Sequence, residues 1–137
     1  MQNEIILVTG ANGLLGRHFL KAHNKSSCGL HAIVRKMPDI PIDNVTYHII
    51  DLSSKWLFNS LPSDINTICH LAQSDKFRDF PEKALDVFTV NIASTANLLD
   101  FAYRNSVKKF IYASSGGVYA NGKQDFKENS PLAESHK

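Results

Sequence analysis

The sequence predicts an α/β domain: a doubly wound, parallel sheet with helices on both faces. Two observations carry that expectation. Short apolar runs alternate with helix-patterned stretches along most of the chain, the pattern of right-handed βαβ crossovers. The short runs are apolar at nearly every position, as strands covered on both faces are. A five-stranded sheet of order 3-2-1-4-5 is the expected result.

The elements follow in order. Glu4 to Thr9 is rich in Ile, Leu and Val and forms the first strand. Leu14 to Asn24 sets Leu15, Phe19 and Ala22 at helical spacing, and Gly29 can stop that helix. Leu30 to Arg35 is a second strand, and Met37 to Asn44, with two prolines, is a loop. Val45 to Ile50 is a third strand, Ser53 to Ser60 a short helix or turn, and Asn66 to Ala72 a fourth strand. Pro81 to Asn105 is the longest helical stretch, with Pro81 suited to a first turn. Its apolar face comprises Ala84, Val87, Phe88, Ile92, Leu98, Leu99 and Ala102. Lys108 to Ser114 is a fifth strand, and beyond Tyr119 the chain turns polar.

Composition narrows the function classes. A chain of 137 residues fits one domain, and 43% hydrophobic residues can build its core. A net charge of +2, with the basic residues scattered, gives no reason to expect nucleic acid as a partner. No apolar run approaches the roughly 18 residues of a membrane span, and the N-terminus enters a strand rather than a signal peptide. Cys28 and Cys69 are far apart, have no metal-ligand spacing and suit a reducing cytoplasm. No metal site is expected.

The first chemistry lies in Thr9-Gly10-Ala11-Asn12-Gly13-Leu14-Leu15-Gly16, between the first strand and the first helix. Gly10 allows a sharp turn off the strand, Gly13 lets backbone amides approach a pyrophosphate, and Gly16 lets the helix pack close. The amides near Asn12, Leu14 and Leu15 and the positive end of the helix suit a diphosphate. Three glycines alone are a weak signal; the strand-to-helix setting strengthens it.

With its G-x-x-G-x-x-G spacing, this turn resembles that of the short-chain dehydrogenase/reductase superfamily, in particular its extended branch of NAD-dependent epimerases and dehydratases. Four later segments also resemble that branch. They are Asp51-Leu52, His70-Leu71-Ala72, Asn91-Ile92-Ala93-Ser94-Thr95-Ala96-Asn97-Leu98-Leu99 and Ser114-Ser115-Gly116-Gly117-Val118-Tyr119. The resemblance covers essentially the whole chain. It implies a Rossmann domain over residues 1–120 and a hydride-transferring enzyme acting on a nucleotide sugar. Asp51 and Leu52 would meet the adenine. Leu71 and Ala72 would line the cofactor, Asn91 and Ser114 would lie beside it, and Ser115 would orient the substrate oxygen. Each also has a plain structural reading: Asp51 as a turn acid, Asn91 as a backbone partner, and Ser115 as a strand-end cap. His70 reads as a buried, hydrogen-bonded histidine rather than a catalyst.

An acid that holds the ribose hydroxyls of NAD is expected about 20 residues past the glycines. Arg35-Lys36 stands there instead, which favours NADP through pairing with a 2′-phosphate. Asp39 and Asp43 keep NAD open. The family's Tyr-x-x-x-Lys pair works from a helix, where residues four apart share a face. Tyr119 and Lys123 spell that spacing, but Asn121-Gly122 between them reads as a turn. Glu128-Asn129-Ser130-Pro131-Leu132 resembles the stretch that precedes the catalytic tyrosine in the family. Residues 121–137 are therefore expected to form a loop leading to a catalytic helix and substrate lobe beyond Lys137. Without that helix, little or no turnover is expected. A homodimer through the long helix, an NADPH-dependent carbonyl reductase and a non-catalytic dinucleotide-binding module remain open.

Overall fold

The computed structural model describes residues 4–54, 60–119 and 126–132. Five parallel strands form one sheet of order β3-β2-β1-β4-β5. They are β1 (Ile5–Thr9), β2 (Gly29–Val34), β3 (Val45–Ile49), β4 (Thr67–His70) and β5 (Lys109–Tyr112). The doubly wound order is as expected, and each strand lies within two residues of its predicted bounds. Gly29 is the exception in role: it opens β2, while helix α1 (Leu14–His23) has already ended at Asn24.

Alternate side chains of the strands feed two separate cores. Leu7, Ile33 and Ile68 point to one face, where they pack with Leu98, Phe101 and Ala102 of α3 (Ser94–Arg104). Ile6, Val8, Leu30, Ala32 and Val34 point to the other, against Leu20 of α1. Leu7, Val8, Ala32 and Ile68 are fully shielded from solvent. Their burial explains why the strands read as apolar on both faces.

The long helix expected over Pro81 to Asn105 is not continuous. Lys83 is non-helical (φ −106°, ψ 25°), so α2 spans only Ala84–Phe88, and Pro81 instead accepts the Ala84 amide in a preceding turn. A π turn, Thr89–Ala93, then separates α2 from α3. Thr89, Ser94 and Thr95 each bond a hydroxyl to the carbonyl four residues back, on Leu85, Val90 and Asn91. Such back-bonding bends helices, and here three cases fall within seven residues. The extra residue of the π turn breaks the predicted apolar face. Leu98 and Ala102 are buried, whereas Phe88, Ile92 and Leu99 are exposed.

The tail described at residues 126–132 folds back rather than trailing away. Phe126 stacks on Tyr119 with ring centroids 5.3 Å apart, and Leu132 bridges Tyr119 in antiparallel fashion. Part of the predicted Ser53 to Ser60 turn, and Lys123, lie outside the described residues.

Candidate dinucleotide site

The carboxyl ends of β1, β2, β3 and β4 surround a cleft of about 650 Å³. That volume lies within the range of small-molecule sites, at the edge where open α/β sheets bind ligands. Segments from the four strand ends meet there, joined by Asp86 of α2 and Val90 of the π turn. Gly10, Ala11, Asn12 and Gly13 follow β1, and Val34, Arg35 and Lys36 close β2. Asp51, Leu52 and Ser53 follow β3, and Leu71 to Asp75 follow β4. Sequence reasoning named nine of these residues: Gly10, Asn12, Gly13, Arg35, Lys36, Asp51, Leu52, Leu71 and Ala72.

The glycine turn has the shape that its residues require. Gly10 sits at φ +64°, and a Cβ there would lie 2.7 Å from the Ala72 nitrogen and the Leu71 carbonyl. A Cβ on Gly16 would collide with the Gly10 carbonyl oxygen and lie 2.7 Å from the Ala11 Cα. The first turn of α1 can therefore lie directly against the end of β1. The Gly13 amide donates to the Gly10 carbonyl (2.9 Å), and the Arg17 amide donates to Gly13 (3.0 Å). The amides of Leu14 and Leu15 have no acceptor among the described residues, as the opening amides of a helix should not. Their side chains are exposed. These amides and the α1 dipole form an anion cradle, and the bare Gly13 leaves it open to the cleft. The residues present thus fit a diphosphate.

Side chains brace the walls. The Asn12 Nδ2 donates to the Lys36 carbonyl (3.0 Å), tying the glycine turn to the end of β2. The Asp51 Oδ1 accepts from the Ser53 amide (2.9 Å) and hydroxyl (2.7 Å). These bonds hold its carboxyl below the usual range, the hydroxyl contributing most. The turn-acid role considered from sequence is therefore realised, on the wall of the cleft.

Behind the cleft, a buried relay fixes the β4 loop. The Ala72 amide donates to Thr9 Oγ1 (3.1 Å), and Thr9 Oγ1 lies 2.6 Å from His70 Nδ1. On the far side, His70 Nε2 lies 2.9 Å from Thr95 Oγ1, whose own proton goes to the Asn91 carbonyl (2.8 Å). Thr95 therefore accepts from His70 Nε2–H, and neutral Nδ1 accepts the Thr9 hydroxyl proton. Burial pushes the His70 pKa down to about 4, in keeping with a neutral ring. His70 is a structural member, as its sequence setting suggested.

Asn91 stands behind the wall rather than in it. Its Oδ1 accepts the Ser74 amide (2.8 Å), and the Ser74 hydroxyl donates to the Asp86 carboxylate. Ser74, Asp75 and Asp86, all cleft residues, were not assigned from sequence. The available signal was their position just past His70-Leu71-Ala72, where a parallel strand delivers its loop to the ligand edge.

Ser114 and Ser115 lie at the end of β5, outside the cleft wall, and both are exposed. Ser115 Oγ accepts the Gly117 amide (3.1 Å), a local strand-end turn. Tyr119 follows a 3-10 turn, Gly116–Val118, and bridges Leu132, whereas Lys123 lies outside the described residues.

Comparison with known proteins agrees with this geometry. The model of the NAD dependent epimerase/dehydratase family matches residues 6–136. The chain belongs to this family. It is 26% identical over 132 residues to UDP-glucose 4-epimerase of Dictyostelium discoideum, covering 87% of this chain and 38% of that protein. Identity to the Bos taurus UDP-glucose 4-epimerase is also 26%, over 97% of this chain and 42% of the relative. The chain thus spans about two fifths of the length of these curated relatives. Among solved structures, MoeE5 in complex with UDP-glucose and NAD superposes with a TM-score of 0.73 at 26% identity, over 93% of this chain and 42% of that one. A short-chain dehydrogenase/reductase superfamily protein from Agrobacterium tumefaciens with bound NAD gives 0.77 at 24% identity, over 97% and 40%, a likeness of fold. Among the described residues, no helix is long and apolar enough to cross a membrane.

Proposed function

We propose that this chain is the NAD(P)-binding portion of a nucleotide-sugar epimerase or dehydratase. The observation that carries the reading is the cradle at the start of α1. Two amides without an acceptor among the described residues open α1 directly after Gly13, which lines a cleft built from four strand ends, in a chain of this family. UDP-sugar enzymes among the relatives support a nucleotide sugar as substrate. When bound, the nicotinamide would take a hydride from the sugar carbon and return it.

The chain's own residues would divide the work. Leu14 and Leu15 would bind the diphosphate through their amides, and Asp51 and Leu52 would border the adenine. Leu71 and Ala72, braced through Thr9 and His70, would keep the opposite wall rigid. Ser115 would direct its hydroxyl to the substrate oxygen. The proton-transferring Tyr–Lys pair would come from a helix beyond Lys137, with 121–137 as the approach to it. A cytoplasmic setting and pairing with a second copy through the exposed Phe88 and Ile92 side belong to the same reading. Arg35 at the end of β2 favours NADP and supports a second reading, an NADPH-dependent carbonyl reductase.

Isothermal titration of the 137-residue chain with NAD+, NADP+ and ADP tests the proposal. Saturable one-to-one binding of at least one dinucleotide, with ADP weaker, is the expected result. Absence of binding by both dinucleotides overturns it.

A further inference from the structure

Arg35 leaves the end of β2, and Asp75 sits in the loop after β4, on the opposite wall of the cleft. The two side chains meet across its mouth, with Arg35 Nη2 3.3 Å from Asp75 Oδ2. The other carboxylate oxygen of Asp75 lies 3.8 Å from Lys76 Nζ. Both partners are well exposed, at 69% and 53% of their side-chain surface. An ion pair in such contact with water is weak and exchanges readily. The Arg35 contact holds the Asp75 carboxyl below its ordinary range, so a full negative charge stands there at neutral pH.

We infer that Asp75 acts as a built-in competitor for Arg35, a specificity-determining residue that selectively weakens binding of a dinucleotide carrying a 2′-phosphate. The inference rests on the dinucleotide reading above. The end of β2 is where the adenine ribose lies in this sheet type. A guanidinium fork donates to a carboxylate or a phosphate with similar geometry. A 2′-phosphate that reaches Arg35 must first displace Asp75. NAD presents a hydroxyl there and displaces no charge. Lys76 stays beside Asp75 after the exchange, so the freed carboxylate keeps a counter-charge. Asp75 therefore narrows a preference for NADP that Arg35 alone would make larger.

Calorimetric titration of the wild-type chain, Asp75→Asn, Arg35→Gln and the double variant with NAD+ and NADP+ tests this. Removing a solvent-exposed competitor is expected to tighten NADP+ binding by about threefold to fivefold. NAD+ affinity should stay within about twofold, the scale of a peripheral surface change. In the Arg35→Gln background the Asp75→Asn gain should fall below about twofold, because the two residues act as one unit. An unchanged NADP+ to NAD+ ratio in Asp75→Asn overturns the inference. So does an equal gain in the Arg35→Gln background, which means direct repulsion of the phosphate. If the wild type binds both dinucleotides and the ratio does not move, the cofactor reading stands and the Asp75 inference falls. If the wild type binds neither, both fall.

Discussion

Replacing Gly10 with alanine should damage the fold, whereas replacing Gly13 should damage the cradle alone. Gly10 stands at φ +64°, where an L side chain adds about 1 kcal/mol of strain. The new methyl would also lie 2.7 Å from backbone atoms of Leu71 and Ala72, which cannot rotate aside as a side chain can. Overpacking of that kind costs about 1–3 kcal/mol. Shared relaxation makes the two effects less than additive, so the expected loss for Gly10→Ala is about 3 kcal/mol. Gly13, at φ −71°, is in ordinary backbone, and its Cβ would meet only the Gly10 oxygen, at 3.1 Å. Gly13→Ala should therefore stay within about 1 kcal/mol of wild type. Its methyl would stand in the approach to the α1 amides and lower dinucleotide affinity at least about tenfold, or about 1.4 kcal/mol. Gly29→Ala is the control, since its Cβ would touch only the Ile5 side chain at 3.4 Å. Urea unfolding followed by circular dichroism gives the stabilities, and calorimetry on the same preparations gives the affinities. An unchanged unfolding midpoint in Gly10→Ala, or a Gly13→Ala loss as large as that of Gly10→Ala, refutes the reasoning.

Three further outcomes are expected. The unfolded chain protonates His70 near its ordinary pKa of about 6.5. The folded chain holds the ring neutral down to about 4. This contribution to stability is therefore full above pH 6.5 and lost as the pH falls, by about 2 kcal/mol between pH 7 and pH 5. His70→Asn should flatten the slope measured by urea unfolding; an unchanged slope contradicts the assigned neutral ring. Asn91→Ala removes the acceptor of the Ser74 amide. It should weaken dinucleotide binding by about threefold to tenfold through a looser β4 loop, measured by titration. Replacing Phe101 of α3, which is 1% exposed in the core, with alanine should cost about 3–5 kcal/mol in the same unfolding assay.

Sequence legibility varied along the chain for identifiable reasons. The strands were readable because Leu7, Val8, Ala32 and Ile68 are buried from both sides, and local composition follows burial. The glycine turn was readable because Gly10 and Gly16 meet backbone that no side chain could share. The helical region was misread beyond Pro81. Its apolar periodicity runs through Phe88 and Ile92, yet the hydroxyl back-bonds of Thr89, Ser94 and Thr95 accompany a π turn that shifts the register. Those two residues are left exposed.

Local information was enough for parallel strands, their crossovers and a phosphate-sized gap at the first strand-to-helix junction. Those features depend on backbone conformation and on burial, both of which constrain residue type at each position. The pairing of Arg35 with Asp75, forty positions apart, and the bracing of Ser74 by Asn91 depend instead on which loops the sheet order sets side by side. Arg35 and Asn91 stand out in the sequence, but nothing local names Asp75 and Ser74 as their partners. The meaning of these contacts comes from distance in space, which the folded sheet sets.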